Sequence, residues 1–225
     1  MANNPLVLIF RFFLMVITIA LLAACAKKTP PAPAPLNGTT TAAAAQSTAT
    51  TPNNMTASKF WNFMGKHLTF IQEGRHGPII YDFTDTNCPY CHLIYATEAR
   101  LIHEGKLTVR YVPVAIIKPS SMPEAAAILQ ANNPRAALQY AEQEIGNSMT
   151  TGKPADLPHA TDAIGAASPK TIEAIKKIEV NDHFLQEINV NELPDVIYLP
   201  KKGKLGLITG FVSQKQLSAL LPQLK

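Results

Sequence analysis

Two cysteines separated by two residues, Cys88 and Cys91, constrain this 225-residue chain more than any other feature. They stand between an apolar, strand-like run at residues 78–83 and a segment with helical character. Two thiols at this spacing close a small disulfide of the kind that is made and broken in use. The sequence therefore predicts a redox-active dithiol couple at a strand-to-helix junction.

The start of the helix assigns a role to each sulfur. Pro89 fits the first helical turn, where its missing N–H costs nothing and its fixed φ suits the helix. Cys88 then lies at the helix N-terminus, where unpaired N–H groups and the helix dipole favour thiolate over thiol. We expect Cys88 to be the nucleophile and Cys91 to resolve the mixed disulfide.

Other interpretations of the motif stay open. With His92, the cysteines also match the C-x-x-C-H pattern of c-type haem attachment, in which the histidine ligates iron. The strand-like run before the motif favours the dithiol, because small haem-attachment domains are mostly helical. A zinc site needs two more ligands, and a passive disulfide over so short a loop stabilises weakly. We expect no metal and no cofactor.

Three polar residues lie near the couple in the sequence. Asp82 is a candidate buried carboxylate for proton relay, whereas Asp85 fits a turn or capping residue better. His92 receives no firm role, since most histidines on a helix face are solvated.

Residues 1–25 have the pattern of an export signal. Arg11 is the only charged side chain in this segment, and an apolar run follows at residues 12–22. The run is shorter than a transmembrane helix needs. The sequence Leu-Ala-Ala-Cys ending at Cys25 resembles the lipobox of bacterial lipoproteins, which implies lipidation of Cys25 and a bilayer anchor. Ala26 favours the outer membrane by the sorting rule of such lipoproteins. The alternative is a buried thiol at the end of an uncleaved anchor.

Residues 26–55 are rich in Ala, Thr and Pro and predict a disordered tether. Such a segment cannot bury a core. The formal net charge of the whole chain is +4, and no basic patch with interleaved aromatics points to nucleic acid.

The remaining residues predict one α/β domain with a thioredoxin-like order of elements. Trp61, Met64, Leu68 and Ile71 recur at helical spacing, so Ser58 to about Gln72 is interpreted as an amphipathic helix within the linker-type segment at residues 56–77. The domain itself covers residues 78–225. Its predicted elements are a strand at 78–83, the motif helix, a strand at 107–116, a helical insertion over about 120–190, a hairpin at 195–199 and 205–209, and a helix at 213–221.

Pro194 stands at the start of this hairpin and is the candidate for a cis-proline beside the active site. An extended backbone at Leu193 would hydrogen-bond a substrate peptide near Cys88.

Taken together, these features resemble the DsbG branch of the periplasmic DsbC/DsbG disulfide isomerase and reductase family. The matching segments are Phe60-Trp61, the Asp85 to Cys91 motif region, Ile117-Lys118-Pro119-Ser120, Ala125 to Leu129, and Pro194 with Val196-Ile197-Tyr198. The resemblance implies that Cys88 attacks disulfides or sulfenic acids of exported proteins, that Cys91 resolves, and that a membrane reductase of DsbD type re-reduces the pair. Pro89, Tyr90, Leu193 and Pro194 would contact substrate or tune the couple.

Two departures from this family change the expectation. Leu193 replaces the threonine that usually precedes the cis-proline, and the tether stands where members have an N-terminal dimerisation domain. We therefore expect a lipid-anchored monomer, in which reduction or oxidation is as plausible as isomerisation. A non-catalytic anchored binding module is the further alternative, and full function after Cys88→Ser would reveal it.

Overall fold

The computed structural model describes residues 45–48, 55–160 and 167–225 of the chain. Its helices and strands alternate in an α/β arrangement. The strands are β1 (Ala45–Thr48), β2 (Ile71–Glu73), β3 (Ile79–Thr84), β4 (Thr108–Pro113), β5 (Asp195–Tyr198) and β6 (Gly206–Thr209). The helices are α1 (Ala57–His67), α2 (Pro89–His103), α3 (Ser121–Gln130), α4 (Pro134–Thr151), α5 (Pro169–Glu187) and α6 (Gln214–Leu220), and a 3₁₀ turn follows at Leu221–Gln223.

The described strands form one mixed sheet in the order β1-β6-β5-β3-β4-β2. β3 and β4 are parallel and are connected through α2, whereas β5 pairs antiparallel with both β3 and β6. The predicted strand-helix-strand unit, the hairpin and the thioredoxin-like fold class are thereby confirmed.

Alternating side chains of β3 supply the two faces of the sheet, as the pleat requires. Ile80 packs in the cluster that includes Ile94 and Leu101 of α2. Tyr81 and Phe83 point to the other face and pack in a cluster with side chains of α1 and α5. Asp82 lies on the same face of β3 as Ile80, so its carboxyl is directed towards α2.

The predicted helical insertion is present as α3, α4 and α5, between β4 and β5. Local sequence explains where its helices begin. Asn133 and Ser168 cap α4 and α5 by accepting hydrogen bonds from backbone N–H groups, and Pro134 and Pro169 follow them in the first turn. The Asn-Asn-Pro sequence thus separates α3 from α4.

The linker-type helix is shorter than predicted. α1 ends at His67, and residues 71–73 form β2, which pairs antiparallel with the edge of β4. Ile71 and Glu73 are buried while Gln72 between them is half-buried. Apolar side chains at 68 and 71 are compatible with both a helical stripe and a short strand. The strand forms because the edge of β4 offers hydrogen-bond partners to the backbone of residues 71–73.

The second difference falls inside the predicted disordered tether. Residues 45–48 form β1 and pair antiparallel with β6. A strand at the edge of a sheet pairs through main-chain hydrogen bonds, which any non-proline residue can make. The predicted signal segment, Cys25 and most of the tether lie outside the described residues. Among the helices that the structure describes, none combines the length and the apolarity needed to cross a membrane.

Candidate active site

The cysteine pair lies at the junction of β3 and α2, where the sequence predicts it. Cys88 is the N-cap residue of α2, with an extended backbone (φ −104°, ψ 102°), and Pro89 follows as the first helical residue. Cys88 and Cys91 are joined in a disulfide with their Cα atoms 5.2 Å apart. They are 3% and 1% exposed, whereas Tyr90 between them is 60% exposed.

The Sγ atom of Cys88 is placed to be stabilised as a thiolate. The backbone N–H of Cys91 donates to this sulfur at 3.1 Å. The first N–H groups of a helix lack intrahelical partners and carry partial positive charge, which favours an anion at the N-cap. The same position lowers the pKa of cysteine thiols in general. The arrangement therefore suits Cys88 to nucleophilic attack in the reduced state.

Pro194 directly precedes β5. The Leu193–Pro194 peptide bond is cis, and the Pro194 carbonyl accepts a hydrogen bond from the Gly210 N–H at 2.8 Å. In the pairing of β3 with β5, Phe83 is opposite Asp195. Pro194 thus stands at the end of the sheet from which the loop to Cys88 leaves.

Asp85 organises the backbone around the cysteine pair. Its carboxylate is buried and accepts hydrogen bonds from the Asn87 N–H and the Ser121 hydroxyl at 2.8 and 2.7 Å. The other carboxylate oxygen accepts from the N–H groups of Ile116 and Ile117 at 2.9 and 3.1 Å. The turn role expected for Asp85 is confirmed. The sequence did not predict that Asp85 also binds the backbone of residues 116–117, whose side chains are exposed.

Glu124 of α3 is a second organiser that the sequence did not reveal. Its Oε2 accepts from the Asn87 side-chain amide at 2.8 Å and also from the Thr86 hydroxyl, while Oε1 contacts His159 Nε2 at 3.2 Å. The two residues preceding Cys88 are therefore fixed by the helical insertion. No sequence pattern joins residues 37 positions apart, so only the fold brings them together.

Two carboxyl groups are buried, Asp82 on β3 and Glu98 on α2. Asp82 and Glu98 are fully buried, and the described residues give neither carboxyl a hydrogen-bond partner. Burial, together with the charge of Glu98, raises the pKa of Asp82 well above its ordinary range, and burial raises the pKa of Glu98 to about 8. At neutral pH this pair holds a proton, as the proton-relay hypothesis for Asp82 requires.

The surroundings of His92 do not favour haem attachment. Its Nδ1 contacts the buried Glu142 carboxylate at 3.0 Å, and the two sulfurs that would form thioethers are buried and bonded to each other. Among the described residues, no three His, Cys, Asp or Glu side chains are grouped as a metal site needs. The arrangement fits disulfide exchange.

Comparisons with known proteins agree with this chemistry. The family model described as a thioredoxin-like domain matches residues 68–225. The chain is 26% identical over 164 residues to the thiol:disulfide interchange protein DsbG of Escherichia coli K12, covering 72% of this chain and 60% of that protein. DsbG of Pseudomonas aeruginosa PAO1 is also 26% identical, over 167 residues, with 73% of this chain and 59% of that protein covered.

Among solved structures, the catalytic domain of Proteus mirabilis ScsC superimposes with a TM-score of 0.53 at 16% identity. The match covers 72% of this chain and 94% of that domain. At this identity the likeness concerns the fold alone. The chain spans about 60% of the length of the curated relatives that it matches.

Proposed function

The chain belongs to the thioredoxin-like domain family, and from this membership we propose that it is a periplasmic thiol-disulfide oxidoreductase of DsbG type. The observation that carries the proposal is the Cys88–Cys91 disulfide at the N-terminus of α2. Cys88 is the nucleophile of the reduced protein, Cys91 the resolving residue, and exported proteins with disulfides or oxidised cysteines are the substrates.

The reaction with a substrate disulfide has two steps. The Cys88 thiolate attacks one substrate sulfur, the substrate S–S bond breaks, and the other substrate sulfur leaves as a thiolate that takes up a proton. Cys91 then loses its proton and attacks Cys88 Sγ, which releases the second substrate thiol. Two electrons pass to the substrate, and the Cys88–Cys91 disulfide forms. Asp82, buried beneath α2, is the proposed relay for the Cys91 proton: it passes on the proton it already holds and takes up the one from Cys91 in its place.

A substrate sulfenic acid is reduced by the same pair. The Cys88 thiolate attacks the sulfenic sulfur, the S–O bond breaks, and the oxygen leaves as water after protonation. Cys91 then resolves the mixed disulfide as before. In either case a membrane thiol reductase of DsbD type returns two electrons to the Cys88–Cys91 disulfide.

The surface around Cys88 supports binding of an extended peptide. The backbone of Leu193 precedes the cis bond at the sheet end next to the cysteines, and main-chain groups in such a position bind peptides in extended conformation. Pro89 and the exposed Tyr90, which lie between the two cysteines in the sequence, would complete the contact surface for such a peptide. Leu193 offers a side chain without a hydroxyl, which distinguishes its contacts from those of a threonine.

The proposed location of the protein rests on the sequence of its first residues. Cleavage before Cys25 and lipidation of its sulfur would place the domain in the periplasm on a bilayer anchor, with the outer membrane favoured by Ala26. The periplasm is an oxidising compartment in which dithiol couples act on secreted proteins.

Trapping of mixed disulfides tests the proposed function. In the full chain, Cys91→Ser leaves the nucleophile without a resolving thiol, so we expect disulfide-linked adducts with periplasmic proteins. Cys88→Ser should form none, and it serves as the matched control. The visible spectrum is recorded on the same samples. A Soret band, or full function of the Cys88→Ser variant, would contradict the proposal in favour of a haem carrier or a binding module.

A further inference from the structure

The loops around the cysteine motif leave from one end of the sheet. The register pairs Thr84 at the end of β3 with Pro113 at the end of β4, and Asp195 at the start of β5 with Thr209 at the end of β6. The antiparallel pairing of β3 with β5 brings these two pairs together. The chain leaves β3 at this end to reach Cys88, and the loops that follow β4 and β6 begin beside it.

These two loops carry exposed apolar side chains. Nine large apolar side chains are exposed in the described ranges, and three of them lie outside helices. These three are Ile116 and Ile117 after β4 and Phe211 after β6, which are 40%, 42% and 42% exposed. Single exposed apolar residues need no explanation, whereas apolar residues gathered at one end of a sheet indicate a binding surface.

Asp85 holds the two isoleucines next to the nucleophile. The N–H of Cys88 donates to the Asp85 backbone carbonyl at 2.9 Å. The side-chain carboxylate of the same residue accepts from the N–H groups of Ile116 and Ile117 at 2.9 and 3.1 Å. The backbone of Cys88 and the backbone of the isoleucine pair are therefore each one hydrogen bond away from Asp85.

The backbone on both sides of the isoleucine pair is fixed as well. The N–H of Ala115 donates to the Asp182 carboxylate at 2.9 Å, and the N–H of Lys118 donates to the Ser121 hydroxyl at 3.2 Å. Four consecutive N–H groups, at residues 115–118, thus have side-chain acceptors. A loop that is ordered before binding loses little conformational entropy when a partner covers it.

Phe211 is fixed beside the cis-proline in a similar way. The N–H of Gly210 donates to the Pro194 carbonyl at 2.8 Å. Gly210 has a φ of 83°, a conformation that residues with a Cβ atom rarely adopt. Val212 on the other side is buried. The backbone is therefore held on both sides of Phe211, and its ring is left at the surface.

The chemistry of the site decides what covers this surface. Cys88 and Cys91 are almost fully buried. A substrate sulfur therefore reaches Cys88 only when the substrate chain on either side of it lies against the surrounding loops. The residues next to the substrate cysteine are the ones that contact these loops.

We propose that Ile116, Ile117 and Phe211 form an apolar rim that selects substrate cysteines flanked by large apolar side chains. The inference rests on the proposed function and names its substrate class. Large apolar side chains are mostly buried in folded proteins, so cysteines with such neighbours are accessible in exported proteins that are unfolded. Burial of these side chains against the rim supplies binding free energy without taking part in the sulfur chemistry.

The test uses the reduced full-length protein and two peptides, each with a single cysteine joined to glutathione by a disulfide. Leu and Phe flank the cysteine in one peptide, and Ser flanks it on both sides in the other. Each turnover breaks the peptide–glutathione S–S bond, releases two thiols and oxidises Cys88 and Cys91 to their disulfide. Single-turnover rates over a range of peptide concentrations give the half-saturation concentration and the maximal rate. The wild type should reach half-saturation at an about tenfold lower concentration of the apolar peptide.

Variants of the rim should weaken this preference. Ile117→Ser and Phe211→Ser should each lower the ratio of the two efficiencies, apolar peptide to serine peptide, about three- to fivefold. The loss should appear in the half-saturation concentration for the apolar peptide. Ile172→Ser is the matched control, because Ile172 on α5 is 45% exposed, and it should keep the ratio of the wild type. Both peptides are compared on one sample, so an incompletely folded fraction leaves the ratio unchanged.

Equal half-saturation concentrations for the two peptides in the wild type would overturn the proposal, and so would rim variants with the ratio of the wild type. Sedimentation tests a second copy of this chain as the occupant, and a dimer that Ile117→Ser abolishes would also overturn the proposal. These results would leave the dithiol function intact, because both peptides would still be reduced. A wild type that reduces neither peptide, nor oxidised glutathione, would overturn the proposed function and the apolar rim together.

Discussion

At the scale of single residues, Asp85 fixes the shape of the active site. Four donors from three separate parts of the chain converge on its carboxylate: the N–H of Asn87, the hydroxyl of Ser121, and the N–H groups of Ile116 and Ile117. The carboxylate needs both oxygens and its full acceptor capacity to satisfy them, because Asp85 is buried.

Asp85→Asn should therefore damage the site although it preserves the shape of the side chain. Its amide nitrogen would face donors that need an acceptor, and we expect a loss of about 2–4 kcal/mol in the free energy of unfolding. Urea denaturation measures this loss, and Asp156→Asn at an exposed loop position is the control. A variant as stable as the wild type would contradict the importance given to Asp85.

Residues whose roles are local could be predicted from the sequence, and residues whose roles depend on the fold could not. Cys88, Pro89 and Cys91 lie within one helical turn, so the pattern itself places them. Glu98 and Glu142 lie in helical segments rich in polar residues, where an acidic side chain usually marks a solvated face. Their burial depends on how α2 and α4 pack, which no local pattern expresses.

At the scale of elements, Asn181 connects α5 to the sheet. Its amide nitrogen donates to the carbonyls of Thr69 and Pro113 at 3.0 and 2.8 Å, and its amide oxygen accepts from the Thr69 N–H at 3.1 Å. The residue is fully buried. The backbone groups that it binds lie just before β2 and at the end of β4. One side chain thus binds both backbone groups of Thr69 and the carbonyl of Pro113.

Asn181→Asp should destabilise the protein more than Asn181→Ala. The aspartate places a carboxylate oxygen against two carbonyls, whereas alanine leaves them without a donor. We expect losses of about 2–3 kcal/mol for alanine, and more for aspartate at pH 7. Thermal unfolding ranks the two variants, with Asn132→Asp at an exposed position as the control. The reverse order would show that the donated hydrogen bonds matter less than the volume of the side chain.

The elements that the sequence predicted well are those with a long pattern or a strong boundary. Proline and capping residues mark the starts of α2, α4 and α5, so these helices were predictable. β2 has three residues, which is too short for an alternating pattern to be distinguished from the end of α1. Its strand state depends on hydrogen bonds to β4, about forty residues away along the chain.

At the scale of the whole molecule, several carboxyl groups are more easily protonated in the folded state than in the unfolded chain. Burial raises the pKa of Glu98 from 4.5 to about 8 and that of Asp195 from 3.8 to about 6. It also raises the pKa values of Asp82 and Glu142. Between the unfolded and folded values, the folded protein binds more protons than the unfolded chain does, so its stability falls as the pH rises.

The free energy of unfolding should therefore decrease from about pH 5 to about pH 8, and Glu98 alone contributes up to about 1.4 kcal/mol per pH unit in this range. Glu98→Gln removes the titrating group with little change in volume. Urea denaturation at several pH values should show a smaller decrease for this variant, with the gain over the wild type largest at the alkaline end. Parallel curves would show that Glu98 is not buried as the structure has it.

The helical insertion reaches the cysteine motif from both sides, since α3 provides Glu124 for the residues before Cys88 and α4 provides Glu142 for the residue after Cys91. The geometry of the motif therefore depends on the insertion as well as on its own residues. Residues 85–92 grafted into a thioredoxin-like scaffold with another insertion would carry the two sulfurs but leave Asn87 and His92 without their acidic partners. A chimera that reproduces this chemistry has to take the motif and the insertion as one unit.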